Sequence, residues 1–302
     1  MDSFKAGYVA ILGLPNSGKS TLINALLGQK LNIVSDKPQT TRRKILGILT
    51  EKDHQIIFVD TPGLLKPNYL LQERMMEAVE ISAKDADIIL LIQDVNEDFK
   101  GEKLLHQEFV NEVLMNLTSP KILLLNKIDL SSQEEIFPLI EKQQSTNLFA
   151  KVIPISAKHN FNLTDVINSV VELLPENPKF FPDDELTDES ERFFIAEIIR
   201  EKILEQYSEE VPYSCEVLIA DFKERERGKD FIEAYVVVEK ESQKAIIIGK
   251  EGKAIKKLGE AARKSIEEFL QREVFLELRV KVKPKWRKDE NMLNIFGYGK
   301  EK

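Results

Sequence analysis

Residues 13–20 read GLPNSGKS and fit the pattern G-x-x-x-x-G-K-[ST]. An apolar run at residues 8–12 precedes them and a segment of helical character at residues 20–27 follows, which is the context that this pattern requires. Glycine lets the backbone curl so that successive N–H groups face one anion, and the N-terminus of the helix adds the positive end of its dipole. The stretch therefore predicts a phosphate-binding loop between a strand and a helix.

The side chains of this loop suggest how a nucleotide is held. Lys19 supplies a point charge for the β- and γ-phosphates, and Ser20 supplies a hydroxyl for magnesium. The residues of the loop expected to bind the nucleotide are Asn16, Ser17, Gly18, Lys19, Ser20 and Thr21.

Short apolar runs alternate with amphipathic stretches through the first half of the chain. Further runs lie at residues 56–59, 88–92, 122–125 and 152–155. They are rich in Ile, Val and Leu, which is typical of strands buried between two layers of helices. Helical character is found at residues 20–27, 72–83 and 104–114. The alternation predicts an α/β class domain, doubly wound with a mostly parallel sheet, over residues 1–174.

Two polar segments directly follow predicted strands. DTPG at residues 60–63 comes after the second run, and NKID at residues 126–129 comes after the fourth. Ligands of open α/β sheets bind at the carboxyl edge of the strands, so we expect both segments beside the phosphate loop. Asp60 is expected to hold magnesium through water, and the Gly63 N–H to reach the γ-phosphate.

The NKID segment points to guanine as the base. The Asp129 carboxylate can accept from the N1–H and the exocyclic amine of guanine, whereas adenine presents a bare acceptor at N1. A base that lacks these donors would leave the carboxylate without its hydrogen bonds, and this loss weakens the binding of the wrong base strongly. Asp129 is therefore predicted to select the base. The further residues expected at the base are Asn126 tying the loops together, Lys127 covering the ring, Ala157 offering its N–H to O6, and the neighbouring Ser156 and Lys158.

The ordered set of segments resembles the G-motifs of the Ras-like GTPase superfamily. The resemblance implies hydrolysis of GTP to GDP and phosphate with Mg²⁺. A switch threonine is expected in KPQTTR at residues 37–42, where we choose Thr41 and keep Thr40 as the alternative. The expected metal-binding residues are Ser20, Thr41 and Asp60, and the expected catalytic residues are Lys19, Thr41 and Gly63.

Two positions depart from Ras-like sites. Leu64 stands where Ras-type enzymes place the glutamine that orients water, so intrinsic hydrolysis should be slow. Asn16 lies inside the phosphate loop, and relatives that use potassium hold the ion with an asparagine at this place. The second departure leads to the hypothesis that K⁺ stimulates turnover.

The alternating pattern ends near residue 174. Residues 175–188 contain three prolines and five acidic residues, which is typical of a linker. In residues 189–302 the pattern predicts a helix at 189–207, with Asp188 and Glu191 as a capping box. Two strands, two helical stretches and a strand of period two at 274–283 follow, giving a smaller α+β domain of order α-β-β-α-α-β.

IGKEGK at residues 248–253 fits the G-x-x-G loop of KH domains, here of type II, in which glycine lets a nucleic-acid backbone approach closely. The chain from residue 249 onward has 15 Lys and Arg against 9 Asp and Glu, a net +6, so the rest of the total −8 leaves −14 for residues 1–248. A polyanion is therefore expected at the C-terminal end. Trp286 either stacks on a base or covers the core of its own domain. The residues expected to bind RNA are Ile248, Gly249, Lys250, Gly252, Lys253, Lys256, Lys285 and Trp286.

Composition narrows the class of protein. The chain has 302 residues, 42% hydrophobic and 31% charged, as expected of a soluble protein with one or two domains. A single cysteine excludes an internal disulfide and fits a reducing cytoplasm. No apolar run approaches the roughly 18 residues that span a bilayer. The start MDSFK shows no signal-peptide pattern.

From GLPNSGKS, PQTTR, DTPG, NKID, SAK, IIGKEGKAIK and VKVKPKW together, the chain resembles the Era family of bacterial ribosome-assembly GTPases over about residues 5–299. The resemblance implies binding to the 3′ end of small-subunit ribosomal RNA and a role in small ribosomal subunit maturation. It also implies a cytoplasmic protein with loose peripheral contact at the inner face of the cell membrane. The alternative is a nucleotide hydrolase whose C-terminal domain binds protein.

Overall fold

The computed structural model describes residues 4–35 and 37–299. The prediction that the start MDSFK is not a signal peptide therefore rests partly on residues 1–3, which lie outside the described part. The described chain divides into two compact units. The first takes in residues up to 67 and residues 75–188, and the second takes in residues 68–74 and those from 189 onward.

A six-stranded sheet forms the first unit, with strand order β2-β3-β1-β4-β5-β6. The strands are β1 (Lys5–Gly13), β2 (Ile45–Thr50), β3 (His54–Asp60), β4 (Ile88–Asp94), β5 (Lys121–Asn126) and β6 (Lys151–Pro154). All neighbouring pairs are parallel except β2 with β3. Every residue of β3, β4 and β5 is buried, because helices cover both faces of the sheet.

The helices of this unit are α1 (Lys19–Leu27), α2 (Leu70–Asp85, of which residues 75–85 belong to this unit), α3 (Glu102–Leu105), α4 (Glu108–Glu112), α5 (Gln133–Ser145) and α6 (Leu163–Leu173). One core layer joins Leu22 of α1 and Val166 of α6 to the sheet. The other joins Val79 of α2 and Ile136 of α5 to the opposite face. The predicted doubly wound α/β architecture is confirmed.

The helical character predicted over residues 104–114 is present, but it is divided between the separate helices α3 and α4 and a 3₁₀ turn (Leu114–Asn116) that follows them. Leu104, Val110 and Leu114 are all buried in the same core layer. Six residues turn an α-helix by about 240° beyond a full turn, so one continuous helix would point Leu104 and Val110 apart. The break at the extended residue Gln107 brings both side chains to the core.

The predicted linker is attached to the first unit by defined hydrogen bonds. Oε1 of the fully buried Gln55 accepts from the N–H groups of Phe180 at 2.8 Å and Phe181 at 3.0 Å. Nε2 of Gln55 donates to the carbonyl of Phe181 at 2.9 Å. Farther along, the Ile48 N–H donates to the carbonyl of Leu186 at 2.8 Å. Residues 180–186 therefore lie along β2 and β3.

The second unit carries a three-stranded sheet of order β7-β8-β9, antiparallel between β7 and β8 and parallel between β8 and β9. Its elements are α7 (Glu191–Gln206), β7 (Glu216–Lys223), β8 (Asp230–Val238), α8 (Glu241–Ile248), α9 (Lys253–Leu270), β9 (Val274–Val282) and α10 (Glu290–Ile295). Ile195 of α7, Ile232 of β8 and Leu258 of α9 share its core. The α-β-β-α-α-β order agrees with the expectation, and α10 extends it.

The start of α7 differs from the prediction. Ser190, and not Asp188, is the N-cap residue, and its side chain accepts from the Phe193 N–H at 3.4 Å. The helix begins at Glu191, so this glutamate lies in the first turn and cannot close a box with Asp188.

Candidate functional site

The phosphate loop connects β1 to α1 at the carboxyl edge of the sheet, and two of its glycines have no room for a side chain. A Cβ atom at Gly13 would lie 2.5 Å from the carbonyl oxygen of Ile92. At Gly18, where φ is 101°, it would lie 2.3 Å from Nδ2 of Asn126. The same Asn126 Nδ2 donates to the Ser17 carbonyl at 2.8 Å, so it joins the NKID segment to the phosphate loop.

The Lys19 ammonium is buried inside the curl of the loop. Its Nζ donates to the carbonyls of Gly13 at 3.1 Å and Leu14 at 3.0 Å. Burial lowers the pKa of Lys19 to about 8, and the charge of Asp60 opposes that shift. A buried cation held by backbone carbonyl oxygens, with little water around it, suits the binding of a phosphate.

Three side chains donate to one oxygen of Asp60 at the end of β3. Asp60 Oδ2 accepts from Ser20 Oγ at 2.9 Å, Thr41 Oγ1 at 3.2 Å and Asn32 Nδ2 at 2.8 Å. Asp60 Oδ1 is buried and has no partner among the described residues. Burial raises the pKa of Asp60 to about 6, against the lowering effect of Lys19 and these hydrogen bonds. Thr40 donates to the Lys37 carbonyl at 2.6 Å, so Thr41 is the threonine placed at Asp60.

The oxygens at Asp60 fit a magnesium ion. Mg²⁺ prefers oxygen ligands, and Ser20 Oγ lies 2.9 Å from Thr41 Oγ1, so two hydroxyls and a carboxylate converge. The buried Asp60 Oδ1 is an acceptor that a metal-bound water would satisfy. The residues present therefore fit the cation.

A cavity of about 610 Å³ lies beside these groups. Among the predicted site residues, its lining includes Asn16, Gly18, Lys19, Ser20, Thr21, Thr41, Gly63 and Lys127. The backbone at Gly63 lies against Pro15, where an added Cβ would be 2.8 Å from the proline Cα. Leu64 is buried in the core under the sheet and its N–H donates to the Gly13 carbonyl at 3.0 Å, so its side chain has no access to the cavity.

The predicted base-binding residues form one hydrogen-bonded group. Ser156 Oγ donates to Asp129 Oδ1 at 2.6 Å, and the Ala157 N–H donates to Asn126 Oδ1 at 3.0 Å. Lys127 Nζ lies 2.6 Å from Asp94 Oδ2. Lys158 is exposed. These bonds orient Asp129 and Asn126 before any ligand arrives.

Sequence reasoning missed two contacts in this unit. Asp94, at the end of β4, fixes Lys127, and its position after a buried strand is a signal that was present in the sequence. Asn32, in the loop after α1, gave no such signal because it lies outside every motif.

The G-x-x-G loop of the second unit lies between α8 and α9. Gly249 and Gly252 have φ of 70° and 74°, which favour glycine. The side chains of Lys250, Lys253 and Lys256 are exposed, and Ile248 is half-buried. Lys253 Nζ lies 2.9 Å from Glu251 Oε2, at the rim of the loop. This part of the unit presents cations beside backbone that a polyanion can approach.

The expectation that Trp286 stacks on a base is wrong. Trp286 is fully buried, its Nε1 donates to the Ser214 carbonyl at 2.9 Å, and its ring packs edge-on against Phe296. The chain after β9 turns back over the unit, and Tyr298 donates to Glu216 Oε2 at 2.6 Å. Trp286 therefore covers the core of its own domain, which was the alternative prediction. The neighbouring Lys285 is exposed.

Comparisons with known proteins match both units. The family described as a 50S ribosome-binding GTPase matches residues 8–127, and the KH domain family matches residues 210–287. GTPase Era of Clostridium perfringens is 45% identical over 300 residues, covering 99% of this chain and all of that protein. The chloroplastic GTPase ERA1 of Zea mays is 46% identical over 299 residues, covering 98% of this chain and 71% of that protein.

Two solved structures are similar along almost the whole chain. A crystal structure of an Aquifex aeolicus Era variant bound to GDP and AlF4⁻ has a TM-score of 0.93 and 38% identity, covering 98% of this chain and all of that one. A crystal structure of Era with MgGDPNP and nucleotides 1506–1542 of 16S ribosomal RNA has the same TM-score, identity and coverage. Within residues 4–35 and 37–299, no helix combines the length and apolar character needed to cross a bilayer.

Proposed function

The chain belongs to the Era family of GTPases, and from that premise we propose that it is a GTP-controlled switch that binds the 3′ end of small-subunit ribosomal RNA. Its role would be in maturation of the small ribosomal subunit. One observation carries the proposal: a single chain joins the guanine-nucleotide segments at one sheet edge to a KH domain with Lys250 and Lys253 exposed. The similar Era crystallised with MgGDPNP and 16S ribosomal RNA supports it.

The phosphate end of the site acts through charge. Lys19 exchanges its bonds to the Gly13 and Leu14 carbonyls for bonds to phosphate oxygens, and the loop amides face the same anion. These donors stay in place while charge develops in the transition state, which lowers the barrier to phosphoryl transfer. The Gly63 N–H adds a donor for the γ-phosphate.

The metal end of the site uses Ser20, Thr41 and Asp60. A bound Mg²⁺ neutralises charge on the β- and γ-phosphates. Ser20 and Thr41 offer hydroxyl oxygens, and Asp60 accepts through Oδ1. Because Thr41 belongs to the 37–42 segment, loss of the γ-phosphate releases that segment from the site.

Hydrolysis without a partner should be slow, because Leu64 stands where Ras-type enzymes place the glutamine that orients the attacking water. Leu64 is buried, so it leaves this role open. We assign stimulation by K⁺ to Asn16 of the phosphate loop, which lines the cavity. Turnover is measured in potassium and in sodium at equal ionic strength; faster turnover in potassium, lost in Asn16→Ala, supports the assignment, and equal rates contradict it.

The base end of the site selects guanine through Asp129. Ser156 orients its carboxylate, so both oxygens are directed before the base enters. Adenine would leave that carboxylate facing an acceptor in place of a donor, and a base that cannot form these hydrogen bonds binds weakly. GTP should therefore bind and ATP should not, as competition against a labelled guanine nucleotide measures.

The RNA side of the proposal depends on the G-x-x-G loop. Backbone at Gly249 and Gly252 permits close approach of a nucleic-acid strand, and Lys250, Lys253 and Lys256 contact its phosphates. Lys285 extends this cationic surface, and Ile248 contributes an apolar contact. Each phosphate contact steepens the fall of affinity with salt.

The test compares binding of single-stranded RNA from the 3′ end of small-subunit ribosomal RNA across salt concentrations. The double variant Lys250→Ala with Lys253→Ala should bind more weakly and show a salt slope shallower by about 1.4, since each single-strand contact contributes about 0.7. Lys264→Ala, an exposed lysine farther along α9, is the matched control. An unchanged slope in the double variant contradicts the RNA site.

A cytoplasmic location with peripheral contact at the inner face of the cell membrane completes the proposal. Only the family resemblance supports it. Flotation of the purified protein with anionic lipid vesicles tests the contact: protein floating with the vesicles supports it, and protein remaining at the bottom contradicts it.

A further inference from the structure

Asn32 lies in the loop between α1 and β2 and is almost fully buried. Its Nδ2 donates to Asp60 Oδ2 at 2.8 Å. We propose that Asn32 is a positioning residue that orients the Asp60 carboxylate and thereby sets the Mg²⁺ affinity of the nucleotide complex. This inference rests on the proposed magnesium site and adds to it a residue outside every motif of that site.

Asn32 differs in kind from the other two donors to Asp60. The hydroxyls of Ser20 and Thr41 are themselves the oxygens proposed to contact the metal, so their O–H directions change when the metal binds. The Asn32 amide nitrogen has no lone pair for a cation and keeps donating to Oδ2 in both states. It therefore leaves Oδ1 as the carboxylate oxygen available to the metal and its water.

Two buried acceptors at this place lack partners among the described residues. One is Asp60 Oδ1 and the other is Asn32 Oδ1. A buried acceptor without a partner costs free energy, so both favour a donor entering the site. Water bound to a divalent cation is such a donor, and the Asn32–Asp60 pair offers it two oxygens.

The backbone of Asn32 is itself fixed to the helix that follows the phosphate loop. Oδ1 of Asn24, on α1, accepts from the N–H groups of Leu31 at 2.9 Å and Asn32 at 2.8 Å. Nδ2 of Asn24 donates to the Asn32 carbonyl at 2.8 Å. Since α1 also carries Lys19 and Ser20, the chain Asn24–Asn32–Asp60 holds the end of β3 in register with the phosphate loop.

Loss of the amide leaves Asp60 Oδ2 with two hydroxyl donors, those of Ser20 and Thr41, so the carboxylate is held less firmly in one orientation. Groups that orient a ligand of a metal, without touching the metal, are typically worth a 10–100-fold change in metal affinity. Asn32→Leu keeps the size of the side chain and removes the donor. We therefore expect the Mg²⁺ concentration needed to slow nucleotide release to rise about 10–100-fold in this variant.

The experiment follows release of a fluorescent GDP analogue from the full chain while Mg²⁺ is varied from chelator-buffered to millimolar concentrations. Asn32→Ala accompanies Asn32→Leu in case the leucine does not fold. Asn24→Ala should shift the midpoint in the same direction. Asn177→Leu is the matched control, because its Nδ2 donates to the Ala6 carbonyl at the opposite end of β1.

The expected result is a shifted Mg²⁺ midpoint with GDP affinity in chelator unchanged within about twofold, which separates metal binding from loop folding. A Mg²⁺ titration of Asn32→Leu that coincides with that of the wild-type protein overturns the inference. So does an equal loss of GDP affinity in chelator, since Asn32 would then only shape the loop. If the wild-type protein released GDP at a rate independent of Mg²⁺, that result would contradict the proposed magnesium site itself.

Discussion

Replacing Gln55 with leucine should release residues 180–181 from the first unit. The substitution removes the two bonds that Oε1 accepts and the bond that Nε2 donates to Phe181. Each is worth about 0.5–1.5 kcal/mol net, so the three together stabilise the attached segment by about 1.5–4.5 kcal/mol. Because 1.4 kcal/mol is a factor of ten, amide exchange through local opening should accelerate roughly 10- to 1,500-fold.

Hydrogen exchange resolved at Phe180 and Phe181 measures this opening, and tryptic cleavage at the exposed Lys179 reports it independently. Gln144→Leu is the control, since Gln144 lies on the exposed side of α5. Exchange at both amides unchanged by Gln55→Leu would show that other contacts hold the segment, and the reasoning from these three bonds would be refuted.

Further predictions concern the phosphate loop, the C-terminal cover and pH. Gly18→Ala should abolish nucleotide binding, because the added Cβ would clash with the Asn126 side chain. Gly28→Ala is the control, since Gly28 also has a positive φ but an added Cβ would have no atom within 4 Å. It should cost only about 1 kcal/mol of stability and keep nucleotide binding, which calorimetry measures. Trp286→Ala should destabilise the second unit by about 3–5 kcal/mol in urea, while Trp286→Phe, if it folds, should keep RNA affinity within about twofold; a large loss of affinity in that folded variant contradicts burial. Burial raises the pKa of Asp60 to about 6 from 3.8, so the folded state holds its proton more tightly, and the stability gained is lost as pH rises through that range. Without nucleotide or metal, the wild-type protein should therefore lose stability relative to Asp60→Asn as the pH rises from 4 to 6. A constant difference in the free energy of unfolding between the two proteins across that range would contradict this prediction.

The sheet was predictable where its strands are buried on both faces, and less so at its edge. Exposing apolar runs such as residues 88–92 to water is unfavourable, so these strands lie in the buried centre of the sheet. The edge strand β2 was missed because only part of it is buried and it pairs antiparallel with β3. Helix α5 was also missed, since it is mostly polar and contains Pro138.

The nucleotide site was predictable because strand ends bring distant segments together. Residues 60, 126 and 156 are far apart in sequence but meet through parallel strands. Asn32 could not be found this way, because a polar residue in a loop has no periodicity that reveals its partner. The position of Trp286 between cations was equally uninformative, since its burial depends on tertiary contacts with Ser214 and Phe296 that the sequence does not reveal.

Reciprocal binding of GTP and RNA tests the central claim most directly. Affinity of the full chain for the 3′-terminal ribosomal RNA segment is measured with GDP and with a non-hydrolysable GTP analogue, and affinity for the analogue is measured with and without RNA. A GTP-controlled switch requires the analogue and the RNA to strengthen each other's binding by one common factor. Equal RNA affinity in the GDP and analogue states would contradict the claim.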